Sequence, residues 1–301
     1  MKLLRRIVFF IFVIIVINPF PLFGRGPGTS SVSFLRIDTG ARPVGMGGVF
    51  CGIADDVNAI HYNPAGIIQL KRKEIIVTHN EWIEGIRTES LGYAHPVNKY
   101  WVLGLTLDYL YITGLVERDV YGNESGKTFG GNNGVLALAL GRKLQDNISV
   151  GANFKIIREA VKDKNSLAYA MDIGFLYRLT KLKLGIAVQN LGTKIKLYEE
   201  AFSLPLNFKF GLGYKLIENM ELGLDVNIPM DNEIDVRMGS EYWVASTIAL
   251  RVGYKTNQEE HTGIGVSAGL GFRYRNYQID YSFLPFGDLG NTHRISLNVK
   301  F

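Results

Sequence analysis

Ile295-Ser296-Leu297-Asn298-Val299-Lys300-Phe301 closes the chain with an apolar side chain at every odd position and a polar one at every even position. Successive side chains of an extended strand point to opposite faces, so this run has one apolar face and one wet face. The pattern recurs upstream. Ile148, Val150, Ala152, Phe154 and Ile156 oppose Asn147, Ser149, Gly151, Asn153 and Lys155, and Met220, Leu222, Leu224, Val226 and Ile228 oppose Glu221, Gly223, Asp225 and Asn227. Alternation over about 10 residues marks a strand with lipid on one side and a polar lumen on the other. A one-residue slip would turn every charge into lipid, so the register is strongly specified. A soluble sandwich would not keep one face this apolar through so many segments.

Fourteen such candidates follow one another: 74–83, 86–96, 100–112, 134–143, 147–157, 167–179, 182–190, 205–215, 219–228, 233–243, 246–255, 262–274, 276–284 and 292–301. The connections alternate in length. Short turns such as Gln145-Asp146 and Arg275-Asn276 follow even strands, and the long stretches 113–133, 158–166, 191–204, 256–261 and 285–291 follow odd ones. Short turns at one end and long loops at the other are the habit of transmembrane barrels, with both termini on the short-turn side. The fold class is therefore an all-β membrane protein, an antiparallel transmembrane β-barrel of about 14 strands over 74–301.

The start of the chain agrees. Lys2, Arg5 and Arg6 precede an apolar run from Ile7 to Ile17, too short to span a bilayer well. Residues 1–24 read as a secretory signal peptide, cleaved near Gly24. Its removal takes the formal charge from +5 to +2, so the basic balance carries no case for nucleic acid. Cys51 is the only cysteine, which excludes a disulfide framework and reads as a small packed hydrophobe.

Between leader and barrel, residues 25–73 have no strand pattern and read as a short helical plug. Many lumen-facing positions are glycine, among them Gly104, Gly151, Gly185, Gly211, Gly239 and Gly253. Interior strand glycines mark either a bend or the close approach of another group. Both readings stand at this point, and a barrel this wide is not filled by its own side chains. The plug carries two motifs. Gly40-Ala41-Arg42-Pro43-Val44-Gly45-Met46-Gly47-Gly48 reads as a Gly-rich turn region. Ala54-Asp55-Asp56 precedes Val57, Ile60 and Tyr62 on one apolar face, then Asn63-Pro64-Ala65-Gly66. Asp55 or Asp56 suits an N-cap, and Asn63 before Pro64 ends the helix.

Together these motifs resemble the N-terminal signature of the PorV/PorQ family, which belongs with the FadL-like outer-membrane proteins. The residues that carry the resemblance are Gly40, Arg42, Pro43, Gly45, Met46, Gly47, Gly48, Asp55, Asp56, Asn63, Pro64, Ala65 and Gly66. Phe301 resembles the terminal aromatic by which bacterial barrels are recognised for insertion. The resemblance implies a bacterial outer-membrane barrel with outer-membrane lipid and the barrel-assembly machinery as partners. It implies one of two roles. The first is secretion or surface attachment of the type IX kind, with secreted cargo or secretion-system proteins as partners. The alternative is diffusion of hydrophobic small molecules such as fatty acids. The stretch 113–133 is rich in Gly, Asn and charge, which favours the protein partner, since a hydrophobe-capturing loop exposes more apolar surface.

Catalysis is not indicated. Gly126-Lys127-Thr128 lacks the first glycine of a P-loop, because Tyr121 stands there. The five histidines show no metal spacing, and no residue is singled out as catalytic, cofactor-binding or metal-ligating. Inward charges of both signs, including Lys155, Lys183, Glu221, Asp225, Arg237, Glu241 and Arg294, suit salt bridges across the lumen or to the plug.

Overall fold

The computed structural model describes residues 30–197, 199–256 and 263–301. The leader at 1–24 and most of the 256–261 connection lie outside the described residues. The strands, in chain order, are β1 (Glu74–Glu81), β2 (Arg87–Pro96), β3 (Trp101–Arg118), β4 (Glu124–Gln145), β5 (Ile148–Val161), β6 (Lys164–Arg178) and β7 (Leu182–Gly192). A two-residue pair follows, β8 (Ile195–Lys196) and β9 (Ala201–Phe202). Then come β10 (Asn207–Ile217), β11 (Met220–Pro229), β12 (Asp235–Val244), β13 (Ile248–Lys255), β14 (Val266–Tyr274), β15 (Tyr277–Pro285) and β16 (Asn291–Lys300).

Fourteen of these close an antiparallel barrel. Each pairs with the next in sequence, β7 pairs with β10 across the small β8–β9 hairpin, and β1 closes on β16. The closing seam runs from Glu74↔Lys300 to Glu81↔His293. No helix among the described residues is long and apolar enough to cross a membrane. The ladder leaves no edge, which is what a lipid-embedded backbone requires.

The alternation read from sequence is the alternation of faces. On β5, Ser149, Gly151, Asn153 and Lys155 are buried while Phe154 and Ile156 are exposed outward. The outer belt continues through Leu103, Leu107, Leu138, Ile173 and Leu270. Tyr100, in the turn before β3, and Tyr109 on β3 are both exposed at its two margins; at about 3.3 Å per residue with strand tilt, their separation matches an apolar band of about 25 Å.

Two expectations are corrected. The stretch 113–133 is not a loop: β3 and β4 carry their ladder out to Arg118↔Glu124. Asp119 Oδ1 accepts from the amides of Tyr121 and Asn123 to form the tip. Likewise β5 and β6 pair to Val161↔Lys164, leaving a two-residue turn in place of 158–166. Beyond the lipid band both faces of a strand meet water, so the period-2 signal fades although hydrogen bonding continues. Gly265, inside the candidate segment 262–274, precedes β14 and takes a positive φ of 74°.

Leu138 lies within the belt with 58% of its surface exposed. Leu138→Arg is expected to cost about 2–4 kcal/mol in folding into lipid vesicles, measured by urea titration, whereas Ser125→Arg on the projecting hairpin changes the midpoint little.

Candidate functional site

The site is the lumen and what fills it. Residues 30–73 run through the barrel in short turns of helix. A 3-10 turn at Ser33–Arg36 leads to an α-helical turn at Ala41–Gly45, so the Gly-rich stretch is partly helix. A second α-helical turn, Ala59–Tyr62, stops at Asn63, whose extended φ of −156° precedes Pro64. Pro64 then opens a 3-10 turn to Gln69, where its missing N–H costs nothing. Neither acid caps the helix by its side chain. Asp56 accepts from the amide of Asn58 at 2.8 Å, and Asp55 is drawn away into an ion pair.

The plug brings its own apolar core. Met46, Val49, Phe50, Ile53, Ile60, Tyr62 and Ile67 are buried together, and the wall adds Ile76, Ala94, Val102 and Ala139. Around this core the lumen glycines meet the plug backbone. A Cβ at Gly253 would lie 1.9 Å from Gly47 N, at Gly185 2.1 Å from Cys51 O, and at Gly151 2.3 Å from Pro64 C. Of the two readings of these glycines, close approach is the operative one. Wall side chains satisfy the plug's backbone: Asp225 accepts from the amides of Phe50 and Cys51 at 2.9 and 2.8 Å. Ser296 and Ser267 accept from Ala41 and Gly47, each at 2.9 Å. Asn63 donates to Cys51 O at 2.9 Å and to Phe175 O at 3.0 Å, bridging plug and wall.

Arg42 is the electrostatic centre. It holds Glu241 bidentately at 2.9 and 2.8 Å and reaches Asp55 at 2.6 Å and Asp56 at 2.8 Å. Glu241 is shared with Arg251 at 2.6 Å, and Arg251 continues to Asp280 at 2.9 Å. Burial acts to raise the Asp55 carboxyl, but Arg42 and Lys183 hold it well below the ordinary carboxylate range. Burial likewise opposes ionisation of Asp38, and Arg237, Lys255 and Lys209 nevertheless keep its carboxyl low. Burial pushes the Cys51 thiol up, leaving it a packed neutral group.

The structure thus brings both motifs into one plug–wall contact. Gly40 takes a φ of 83° with Asn58 Oδ1 where a Cβ would stand, and Gly66 packs against Ala54 in the same way. Pro43 O accepts from Met46 and Gly48. Phe301 is not part of this contact: it sits at the closing seam, exchanging backbone hydrogen bonds with Lys73. Sequence reading missed Asp38, which pairs with Arg237 at 2.8 Å, and missed a bulge in β7. There Gln189 and Asn190 both turn inward opposite Asp172. Gln189 then donates to His61 O at 2.7 Å, and Asn190 N to Asp172 at 2.8 Å. The Asn190 φ of 61° was the available signal, hidden because Asn tolerates it without a glycine in the sequence.

Two cavities flank the plug. One of about 370 Å³ at the terminus end touches Arg42, Asp55, Lys183 and Lys300. The other, of about 250 Å³ at the hairpin end, lies between Phe34–Gly40 of the plug and the inner wall.

Residues 24–301 match the uncharacterised protein family UPF0164. The chain belongs to that family. A UPF0164 protein of Treponema pallidum (strain Nichols) is 21% identical over 304 residues, which is 92% of this chain and 70% of the relative. Among solved structures, a Pseudomonas aeruginosa FadL homologue superposes with a TM-score of 0.65 at 13% identity, covering 87% of this chain and 98% of its own. The Pseudomonas putida toluene transporter TodX gives 0.62 at 12% identity, covering 92% and 97%. These likenesses show that this UPF0164 chain shares the barrel fold of those proteins.

Arg42→Met leaves Glu241, Asp55 and Asp56 short of their buried counter-charge and is expected to destabilise the docked plug by about 3–5 kcal/mol, read as faster protease cleavage within 38–66 while the barrel stays folded. The Asp38 and Asp55 carboxyls sit below their reference value of 3.8. Their contribution to docking is therefore complete at neutral pH and lost progressively as pH falls below that value. Pepsin is expected to cut the plug at pH 2 and to spare it at pH 4.5.

Proposed function

We propose that this chain is an outer-membrane transport channel of the FadL-like fold, closed at rest by its own N-terminal segment. The observation that carries this reading is how residues 30–73 are held. They occupy the lumen through side-chain hydrogen bonds and ion pairs to the wall, and among the described residues their backbone pairs with the rest of the chain at the two ends of the segment, at Ser30↔Ser203 and at Lys73 with Phe301. A segment held this way can shift without opening the closed ladder around it. Outer-membrane lipid is the surrounding partner, insertion falls to the barrel-assembly machinery, and no enzymatic step is assigned. The hairpin-end cavity is lined in part by the apolar Phe34, Leu35, Leu110 and Val135. Passage of small molecules with some apolar surface, the class the FadL resemblance implies, is consistent with that lining.

The second reading, a PorV/PorQ-like role with secreted cargo or secretion-system proteins, is favoured by one feature. The β3–β4 hairpin projects and presents Val120 and Tyr121 at its tip, 94% and 87% exposed. Such a tip suits a protein partner more than a solute.

Deleting 25–73 is expected to raise single-channel conductance in planar bilayers severalfold over the intact protein. Equal conductance for the two, together with specific capture of a secreted protein by the intact hairpin but not by a hairpin trimmed at 117–125, would favour the secretion reading.

A further inference from the structure

The hairpin-end cavity is lined by charges of both signs, Glu89, Asp108, Glu233 and Asp235 among the acids, yet three of its cations meet no carboxylate. Lys209, Arg237, Lys255 and Arg294 line it around Asp38. Arg237 takes both nearby carboxylates, Asp38 at 2.8 Å and Asp235 at 2.6 Å. Other cations on the same walls are matched, Lys155 by Asp172 at 2.7 Å and Arg36 by Asp231. Lys209, Lys255 and Arg294 have no ion pair among the described residues.

Arg294 is the extreme case. It is 1% exposed, and its Nε and Nη2 meet no acceptor. Nη1 reaches only Thr292 Oγ1, at 3.4 Å. The guanidinium lies over the Trp82 ring at 4.8 Å, and Lys209 Nζ over the Tyr62 ring at 4.9 Å. The rings compensate part of the lost hydration, but buried charge is ordinarily paired because desolvating it is costly. An unpaired, buried guanidinium fork offers the geometry that recognises a carboxylate or phosphate. The same cavity is also lined by Phe34, Leu35, Leu110 and Val135. The volume of about 250 Å³ lies below the range of pockets for drug-sized ligands.

We propose that this cavity binds a small organic acid, with its carboxylate between Arg294 and Lys209, Lys255 adding to the field, and its apolar body against Phe34 and Val135. The site's place on a transport path rests on the channel reading above; the binding itself does not.

The test is calorimetric titration of the full-length protein in nanodiscs with benzoate, and with benzyl alcohol as the uncharged analogue of similar shape. Saturable benzoate binding is expected, with benzyl alcohol weaker by about tenfold or more, as loss of one charge-assisted contact predicts. Arg294→Gln and Lys209→Gln should each weaken benzoate by a similar factor and leave benzyl alcohol unchanged, with Lys127→Gln on the exposed hairpin as the neutral control. Heat-modifiable migration on gels confirms a folded barrel for each variant, and Lys209→Gln carries the test if Arg294→Gln does not fold. Equal affinity for benzoate and benzyl alcohol, or unchanged benzoate affinity in the folded variants, overturns the proposal. Displacement of benzoate by dihexanoyl phosphatidic acid at lower concentration than by free benzoate assigns the site to a lipid headgroup and overturns the solute assignment. Because titration needs no transport, absent binding with a conductance rise on deleting 25–73 overturns this site alone. Binding without that rise overturns the channel reading alone.

Discussion

Closure of β1 on β16 is the constraint from which the remaining structure follows. In lipid, an unpaired backbone group costs several kcal/mol, so a sheet can cross only when its last strand pairs with its first. The pairs from Glu74↔Lys300 to Glu81↔His293 supply that seam. They also fix the facing of both strands, so that Ile295 and Leu297 meet lipid while Arg294 and Ser296 face the lumen. Fourteen strands closed this way enclose a space their own side chains leave unfilled. The N-terminal segment occupies it.

Filling that space imposes a second requirement. A segment with few regular backbone hydrogen bonds must find partners for its amides and carbonyls inside the lumen. Asp225, Ser267, Ser296, Gln189 and Asn63 provide them, and the wall glycines allow the two backbones to come close enough. The Arg42 cluster then fixes the plug's azimuth, because its forked contact to Glu241 admits one orientation. Hydrophobic burial within the plug and polar attachment at its rim are separate devices. Such a segment is internally cohesive yet bound to the wall by groups that water or a ligand can replace.

The hairpin end differs in character. There the plug's Asp38 and the wall's Asp235 both pair with Arg237, and Lys209, Lys255 and Arg294 line the neighbouring cavity without an ion pair among the described residues. The two ends of the plug are thus electrostatically unlike, one a closed network of acids and bases and the other a cavity of mixed charge with three unpaired cations.

The sequence by itself determined the barrel. Period-2 alternation is imposed locally by the lipid–lumen boundary, residue by residue, so the strand cores at 148–157 and 220–228 were legible without neighbours. It also determined that Gly40–Gly48 and Asp55–Gly66 form a compact turn-rich piece. Only the tertiary structure decided what those motifs do. Arg42 meets Glu241 across 199 positions of chain and Asp225 meets Cys51 across 174, and no local periodicity encodes such pairings. The reach of β3 and β4 past the lipid was likewise invisible, because water on both faces removes the pattern that betrays a strand. The unpaired state of Arg294 was the least legible of all. An inward arginine in the sequence reads as one half of a salt bridge, and only the fold, by engaging both nearby acids with Arg237, leaves it without the other half.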